Sequence, residues 1–254
     1  MTRTGSPRDK DTPAALARLA ATGALDDLLS LFGADDMVEF GRPEIRLPRA
    51  LRKRRAYVVR VDLLHMSPPV WRRLAVASDL TMEQFHVVIQ AAFGWCGGHL
   101  HAFDLWSPEG GAYLDRLLTR YDTEREGEVG LAEWDVQLNQ VLRQAGDRVE
   151  YTYDFGDDWR HRARLEKVGE WTPGAPLARC LTGRRARPPE DCGGPGGFER
   201  FLLHATATDW DAVEPEDDWE WTMAEFDPEE FDLDHINDRL KSEEERGFAD
   251  TTPW

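Results

Sequence analysis

Cysteine is scarce in this sequence: Cys96, Cys180 and Cys192 are the three it has, and no two form a Cys-x-x-Cys pair. That excludes a disulfide scaffold, and the eleven residues between Cys180 and Cys192 do not match structural zinc spacing. Buried, inert thiols are expected instead. No run approaches the roughly 18 consecutive apolar residues of a membrane helix, so no membrane partner is expected. The polar start MTRTGSPRDKD lacks the apolar stretch of a secretory signal, which points to a cytoplasmic protein. A Gly-x-Ser-x-Gly elbow, a His-Glu-x-x-His pair, a Walker sequence and the kinase signatures are all missing, which disfavours standard hydrolases and nucleotide-dependent enzymes. Internal repeats are missing too.

Aromatic residues and acids are plentiful. Ten Trp and 11 Phe, within a 41% hydrophobic fraction, are enough for a sizeable core in 254 residues. The 48 acids against 31 Lys and Arg give a net charge of −17. That acidity is regional, since Asp209 to Trp254 holds 18 acids and 3 bases. The preceding 208 residues are close to neutral, with 30 acids and 28 bases. Within them, Arg42 to Arg60 carries eight bases and one acid, centred on Arg52, Lys53, Arg54 and Arg55. Such a run can contact phosphates. It can equally pair with the acidic C-terminal third or stand as a solvated linker, and the field of the whole chain repels a polyanion.

Residues 1–11 read as a disordered tail, and 12–54 as a helical extension and basic linker, with Thr12 and Pro13 opening the helix. A folded domain is expected over 55–245, with 246–254 as a C-terminal tail. Tyr57 to Leu64 and Val70 to Val76 are β-rich and read as an antiparallel pair. Thr81 caps a helix over Met82 to Phe93, in which Phe85, Val88, Ile89 and Ala92 share one face and Gly94 ends it. His99 to Trp106 reads as a third strand, and Leu131 to Gln144 as a helix. Val149 to Val168 alternates as a hairpin turning at Gly156-Asp157-Asp158. Thr172 to Gly197 reads as a loop, Phe198 to Ala207 and Leu233 to Leu240 as helices, and the acidic stretch between those helices as irregular. The order predicts an α+β fold: a mostly antiparallel sheet with packed helices, preceded by the N-terminal helical extension.

Trp71-Arg72-Arg73, Phe93-Gly94-Trp95, His99-Leu100-His101-Ala102-Phe103, the run Tyr151 to His161 (YTYDFGDDWRH), Cys180-Leu181-Thr182-Gly183 and Pro188 to Gly194 (PPEDCGG) follow one another in that order. Phe226 to Asp232 and Ile236-Asn237 close the series. Together they resemble the Ri-plasmid open-reading-frame-three-like domain family, over about residues 55–245. Members also stand beside transposases in some insertion elements under the label TnpR. The resemblance implies an α+β domain and a link with plasmids or mobile elements. It implies no reaction, and no serine-recombinase pattern accompanies the label.

The hairpin holds the densest polar group. Asp154, Asp157, Asp158 and His161 could ligate a divalent metal or do acid/base work. Aspartates at turns also bond local backbone, and His161, in phase with Trp159 and Leu165, points inward, where a core histidine is the alternative. His99 and His101 lie two apart on the expected strand and share a face, so with His161 they could form a three-imidazole set. Packing beside Trp95 and Phe103 is the competing reading. Arg184, Arg185 and Arg187 precede a glycine-rich stretch whose amides could approach an anion, although the loop could be purely structural and Glu190 and Asp191 could answer the arginines. Trp71, Arg72 and Arg73 could stack on nucleic acid if exposed, or form an internal salt bridge if not.

Three functions fit. The favoured one is a non-catalytic binding or adaptor module with a protein partner, whose acidic stretch Glu214 to Glu230, bearing Trp219, Trp221 and Phe226, could dock on a basic surface. The second is a metal-dependent enzyme acting on phosphodiesters through the His/Asp cluster. The third is direct DNA binding through residues 42–60.

Overall fold

The computed structural model describes residues 46–106, 113–206 and 226–249. Residues 1–45 of the expected tail and N-terminal extension, with Trp219 and Trp221, lie outside the described residues. Seven strands form one antiparallel sheet: β1 (Arg55–Leu63), β2 (Val70–Ala77), β3 (His101–Trp106), β4 (Tyr113–Leu117), β5 (Arg148–Tyr153), β6 (Trp159–Glu170) and β7 (Ala178–Arg184). Their order is β4-β3-β5-β6-β1-β2-β7. Period-two alternation separates the faces. Tyr57, Val59, Val61 and Leu63 of β1 are buried, as are Val149, Tyr151 and Tyr153 of β5. The opposite face carries Arg60, Asp62, Arg73, Glu150, Arg162 and Glu166, tied into ion pairs such as Arg73–Glu166 at 2.6 Å and Arg162–Glu150 at 2.9 Å.

Five helices accompany the sheet among the described residues: α1 (Met82–Phe93), α2 (Arg120–Glu124), α3 (Leu138–Val141), α4 (Gly194–Thr206) and α5 (Leu233–Glu245). α1 forms where its pattern predicts. The Thr81 side chain accepts from Gln84 N, Gln84 answers the Thr81 N–H in a capping box, and Gly94 ends the helix at φ +89°. Phe85, Val88, Ile89 and Ala92 are wholly buried. α5 lies against α1 and β7. Its Asn237 accepts from Cys180 N at 2.8 Å and donates to Cys180 O at 3.1 Å, and Glu244 accepts from Leu177 N, so the helix covers backbone groups at the outer edge of β7.

Several expectations need correction. The helix expected over 131–144 shrinks to the single turn α3, because the Glu133 and Val136 carbonyls accept from Met82 N at the start of α1, a tertiary demand that overrides local propensity. β7 runs through the stretch read as loop, and β4 and α2 had no clear periodicity. The packed body also reaches upstream of Arg55: Leu51 N donates to Asn139 Oδ1, and Leu47 packs on the core. Downstream it extends to Phe248, which is buried.

Candidate functional site

Three segments distant in sequence meet at one end of the sheet: residues 95–100 between α1 and β3, the β5–β6 turn, and residues 187–194 leading into α4. Trp95 stacks on Tyr153 and donates from Nε1 to Pro188 O at 3.1 Å. Glu190 accepts from Tyr153 OH at 2.8 Å, Cys96 Sγ at 2.8 Å and Cys96 N at 3.1 Å. Gly193 N donates to Asp157 Oδ2, and Gly194, at φ +68°, lies so close to the Asp157 carbonyl that a Cβ there would overlap it. The glycine-rich stretch thus lets one backbone sit on another, and the Asp157 carboxylate occupies an amide that an outside anion was expected to reach.

At this junction His99, Asp154 and Asp191 come together, and each offers a ligand atom within 4.8 Å of the others. His99 Nδ1 faces Asp154 Oδ2 at 3.8 Å, and its Nε2 faces Asp191 Oδ1 at 3.3 Å. Asp154 is buried, His99 intermediate and Asp191 exposed, so the group opens to solvent on one side. Asp154 Oδ1 accepts from Gly156 N at 2.9 Å and Asp157 N at 3.3 Å, which orients Oδ2 toward the imidazole. Asp154, Asp158 and Asp191 all adopt left-handed backbone, at φ +56°, +55° and +57°, a conformation that Asp tolerates better than most residues.

The three-imidazole set does not form. The chain bends at His99 and β3 begins only at His101, so the two residues do not share a strand face. His101 is buried, with Nε2 3.0 Å from Glu133 Oε2 and its ring stacked on His86 at 3.6 Å between centroids. His161 packs edge-on against Phe93 and Trp95, with Nδ1 3.0 Å from Trp159 O. Burial pushes the His161 imidazole down to about 3, and burial with the neighbouring His101 pushes His86 well below its ordinary value. Asp158 pairs with Arg160 at 3.0 Å.

The thiols are accounted for as well. Burial raises Cys180 to about 11 and Cys192 to about 12. The Glu190 hydrogen bond, then burial, raises exposed Cys96, so this thiol lacks the lowered pKa of an activated nucleophile.

The arginines do not form a common fork. Arg184 is exposed, Arg185 pairs with Glu229, and Arg187 turns inward to Pro188 O at 2.9 Å. Arg72 is buried, donating to Ala92 O, Trp71 O and Arg184 O, and so is no surface contact for nucleic acid. Arg73, on the solvent face, bonds Glu166. Of the basic run, Arg54 pairs with Asp79 at 2.7 Å, and Lys53 and Arg55 both pair with Glu170; Arg52 is exposed. Those acids belong to the domain itself and not to the acidic C-terminal third. Sequence reasoning missed Asp191, Glu133 and His86; for Asp191 the signal was an acid set between a proline pair and glycines.

An antiparallel sheet backed by helices, with the YDFGDDW turn, the GHLH segment and the PPEDCGG loop assembled at one end, places the ordered motifs in a single structural unit. The chain belongs to the plasmid pRiA4b ORF-3-like protein family, whose model matches residues 55–235. It is 32% identical over 164 residues to the uncharacterized protein y4hQ of Sinorhizobium fredii (strain NBRC 101917 / NGR234), covering 60% of this chain and 78% of that one. Among solved structures it is similar to protein of unknown function MM3350 from Methanosarcina mazei Go1. There the TM-score is 0.61 and the identity 30%, over 72% of this chain and 97% of that one.

Proposed function

We propose that the protein is a binding module that holds a divalent cation at His99, Asp154 and Asp191 and presents the cation's open positions to an anionic group of a partner. The observation that carries this is the convergence of one imidazole and two carboxylates within 4.8 Å, from three segments far apart in sequence. One nitrogen and two hard oxygen donors suit Mn²⁺ or Zn²⁺, and three protein ligands leave coordination positions for water or a partner's carboxylate or phosphate. Binding is favoured over turnover by the surroundings. His101 and His161 lie in the core, Cys96 is held as a thiol, and Asp157 and Asp158 are bonded to Gly193 N and Arg160.

Titration calorimetry of the chelator-treated full chain with MnCl₂ and ZnCl₂ tests the reading. One ion is expected to bind saturably, with His99→Ala and Asp191→Asn each weakening it at least about tenfold and Asp158→Asn leaving it unchanged. Absence of binding, or binding indifferent to His99→Ala, overturns the proposal. Metal-loaded protein that cleaves bis-(p-nitrophenyl) phosphate, with the activity lost in His99→Ala, would replace the binding module with a phosphodiester hydrolase.

A further inference from the structure

A second feature lies apart from the cation group. Between α5, the C-terminal end of α1 and residues 186–189 is a cavity of about 340 Å³. Arg72, Arg187 and Arg239 all line it, with Phe93, Phe231 and Ile236 among its apolar walls. None of these three arginines forms an ion pair with a carboxylate among the described residues. Exposed arginines such as Arg52 and Arg184 also lack one, but Arg72 is buried and Arg187 is only partly exposed. Arg72 gives Nε and Nη1 to backbone carbonyls, and its Nη2 makes none of these bonds. Arg187 gives Nη1 to Pro188 O. The Arg239 guanidinium packs against Gly94, and its buried Nε has no hydrogen-bond partner.

Three arginines line this solvent-open cavity against two lining acids, Glu230 and Asp232, which leaves positive charge in excess. Burial lowers Arg72 to about 10 and lowers Arg187 and Arg239; Arg187 depresses Arg239 further, and Arg239 depresses Arg72. The groups that act the other way are Cys180 at Arg72, Asp232 at Arg239, and Glu190, Cys96, Cys192 and Tyr153 at Arg187. Asp232 raises Arg239 but is occupied as the N-cap of α5, accepting from His235 N. Glu190 raises Arg187 from the neighbouring junction, and Glu230 and His235 stand in the cavity lining.

We propose that this cavity is a binding site for an oxyanion, phosphate or carboxylate, carried on a small molecule with an apolar body. The remaining guanidinium donors of Arg72, Arg187 and Arg239 supply charge-assisted hydrogen bonds, and the phenylalanine walls take the apolar part. Gly94 is part of the device, since a Cβ there would overlap the Arg239 guanidinium.

Calorimetric titration of the full chain with inorganic phosphate, phenyl phosphate and benzoate, all in EDTA, tests the site with the cation group emptied. Saturable binding of phenyl phosphate or benzoate is expected, and which of the two binds tighter distinguishes a phosphate site from a carboxylate site. Arg239→Gln and Arg187→Gln should each weaken that ligand at least about tenfold. Arg160→Gln, paired with Asp158, should leave it unchanged. Thermal melts check the folding of each variant, and if Arg239→Gln fails to fold, Arg187→Gln decides. No binding up to about 10 mM of any of the three probes, or affinity that survives substitution in the folded variants, overturns the proposal.

Discussion

His161 shows how a residue chosen for chemistry can belong to packing. Its ring sits among Phe93, Trp95 and Tyr151, where charge is poorly solvated, and its pKa falls to about 3. In the unfolded chain it titrates near 6.5. As pH falls below about 6.5 the unfolded state takes up a proton that the folded state refuses, so stability declines from there down to about pH 3. Each such histidine contributes up to about 1.4 kcal/mol per pH unit, and buried His86 acts in the same direction. Urea unfolding measured from pH 7 to pH 4 should therefore show a steep loss in the wild type and a shallower one in His161→Leu. Equal slopes would remove His161 as a source. His99, two positions from His101, has the opposite surroundings: carboxylates on both ring nitrogens and access to solvent.

Among the elements, β7 depends most on a neighbour. It is an edge strand, and α5 covers it by placing Asn237 against both the N–H and the C=O of Cys180. Replacing Asn237 by Leu leaves that donor and acceptor unpaired in a partly buried position, at a cost of about 1–3 kcal/mol. Chemical denaturation should show that loss, while Asn237→Asp, which keeps the acceptor, should lose less. A Leu variant as stable as the wild type would mean that water replaces the amide. Ile236-Asn237 was legible as a motif, yet its purpose required knowing that α5 lies over a sheet edge. The PPEDCGG loop is similar. Its glycines read as room for an anion, whereas Gly194 is dictated by the Asp157 carbonyl beneath it.

Among the described residues, several cations of the sheet's solvent face and of the basic run are paired locally. Arg54, Arg55, Arg60, Arg73 and Arg162 all face acids of the same domain, inside a chain of net charge −17. Exposed pairs of this kind each contribute up to about 1 kcal/mol, so their main effect is on the surface field. Duplex DNA is therefore expected to show no binding to the full chain at about 150 mM salt in a fluorescence-anisotropy titration. Joint replacement of Arg52, Lys53, Arg54 and Arg55 by Ala should leave the fold intact. A steeply salt-dependent affinity that the replacement removes would restore the DNA-binding reading. No helix among the described residues is long and apolar enough to cross a membrane.

The local pattern alone determined the elements whose hydrogen bonds and buried faces are set by neighbours in sequence. Those are the β1–β2 pair, α1 with its Thr81 cap and Gly94 stop, and the β5–β6 hairpin with its Gly156-Asp157-Asp158 turn. Period two and period 3.6 report which side of a chain is buried, and capping is a contact over three residues. Tertiary structure decided the rest. The 131–137 segment yielded the Glu133 and Val136 carbonyls to α1, β7 emerged from a glycine- and arginine-rich stretch because β2 offered an open edge, and Arg72 went inward where Ala92 O at the end of α1, with Trp71 O and Arg184 O, accepts from it. The candidate site followed the same rule: ligand atoms of His99, Asp154 and Asp191 are brought within 4.8 Å of one another by the packing of three segments, and no spacing along a single chain encodes a distance across a fold.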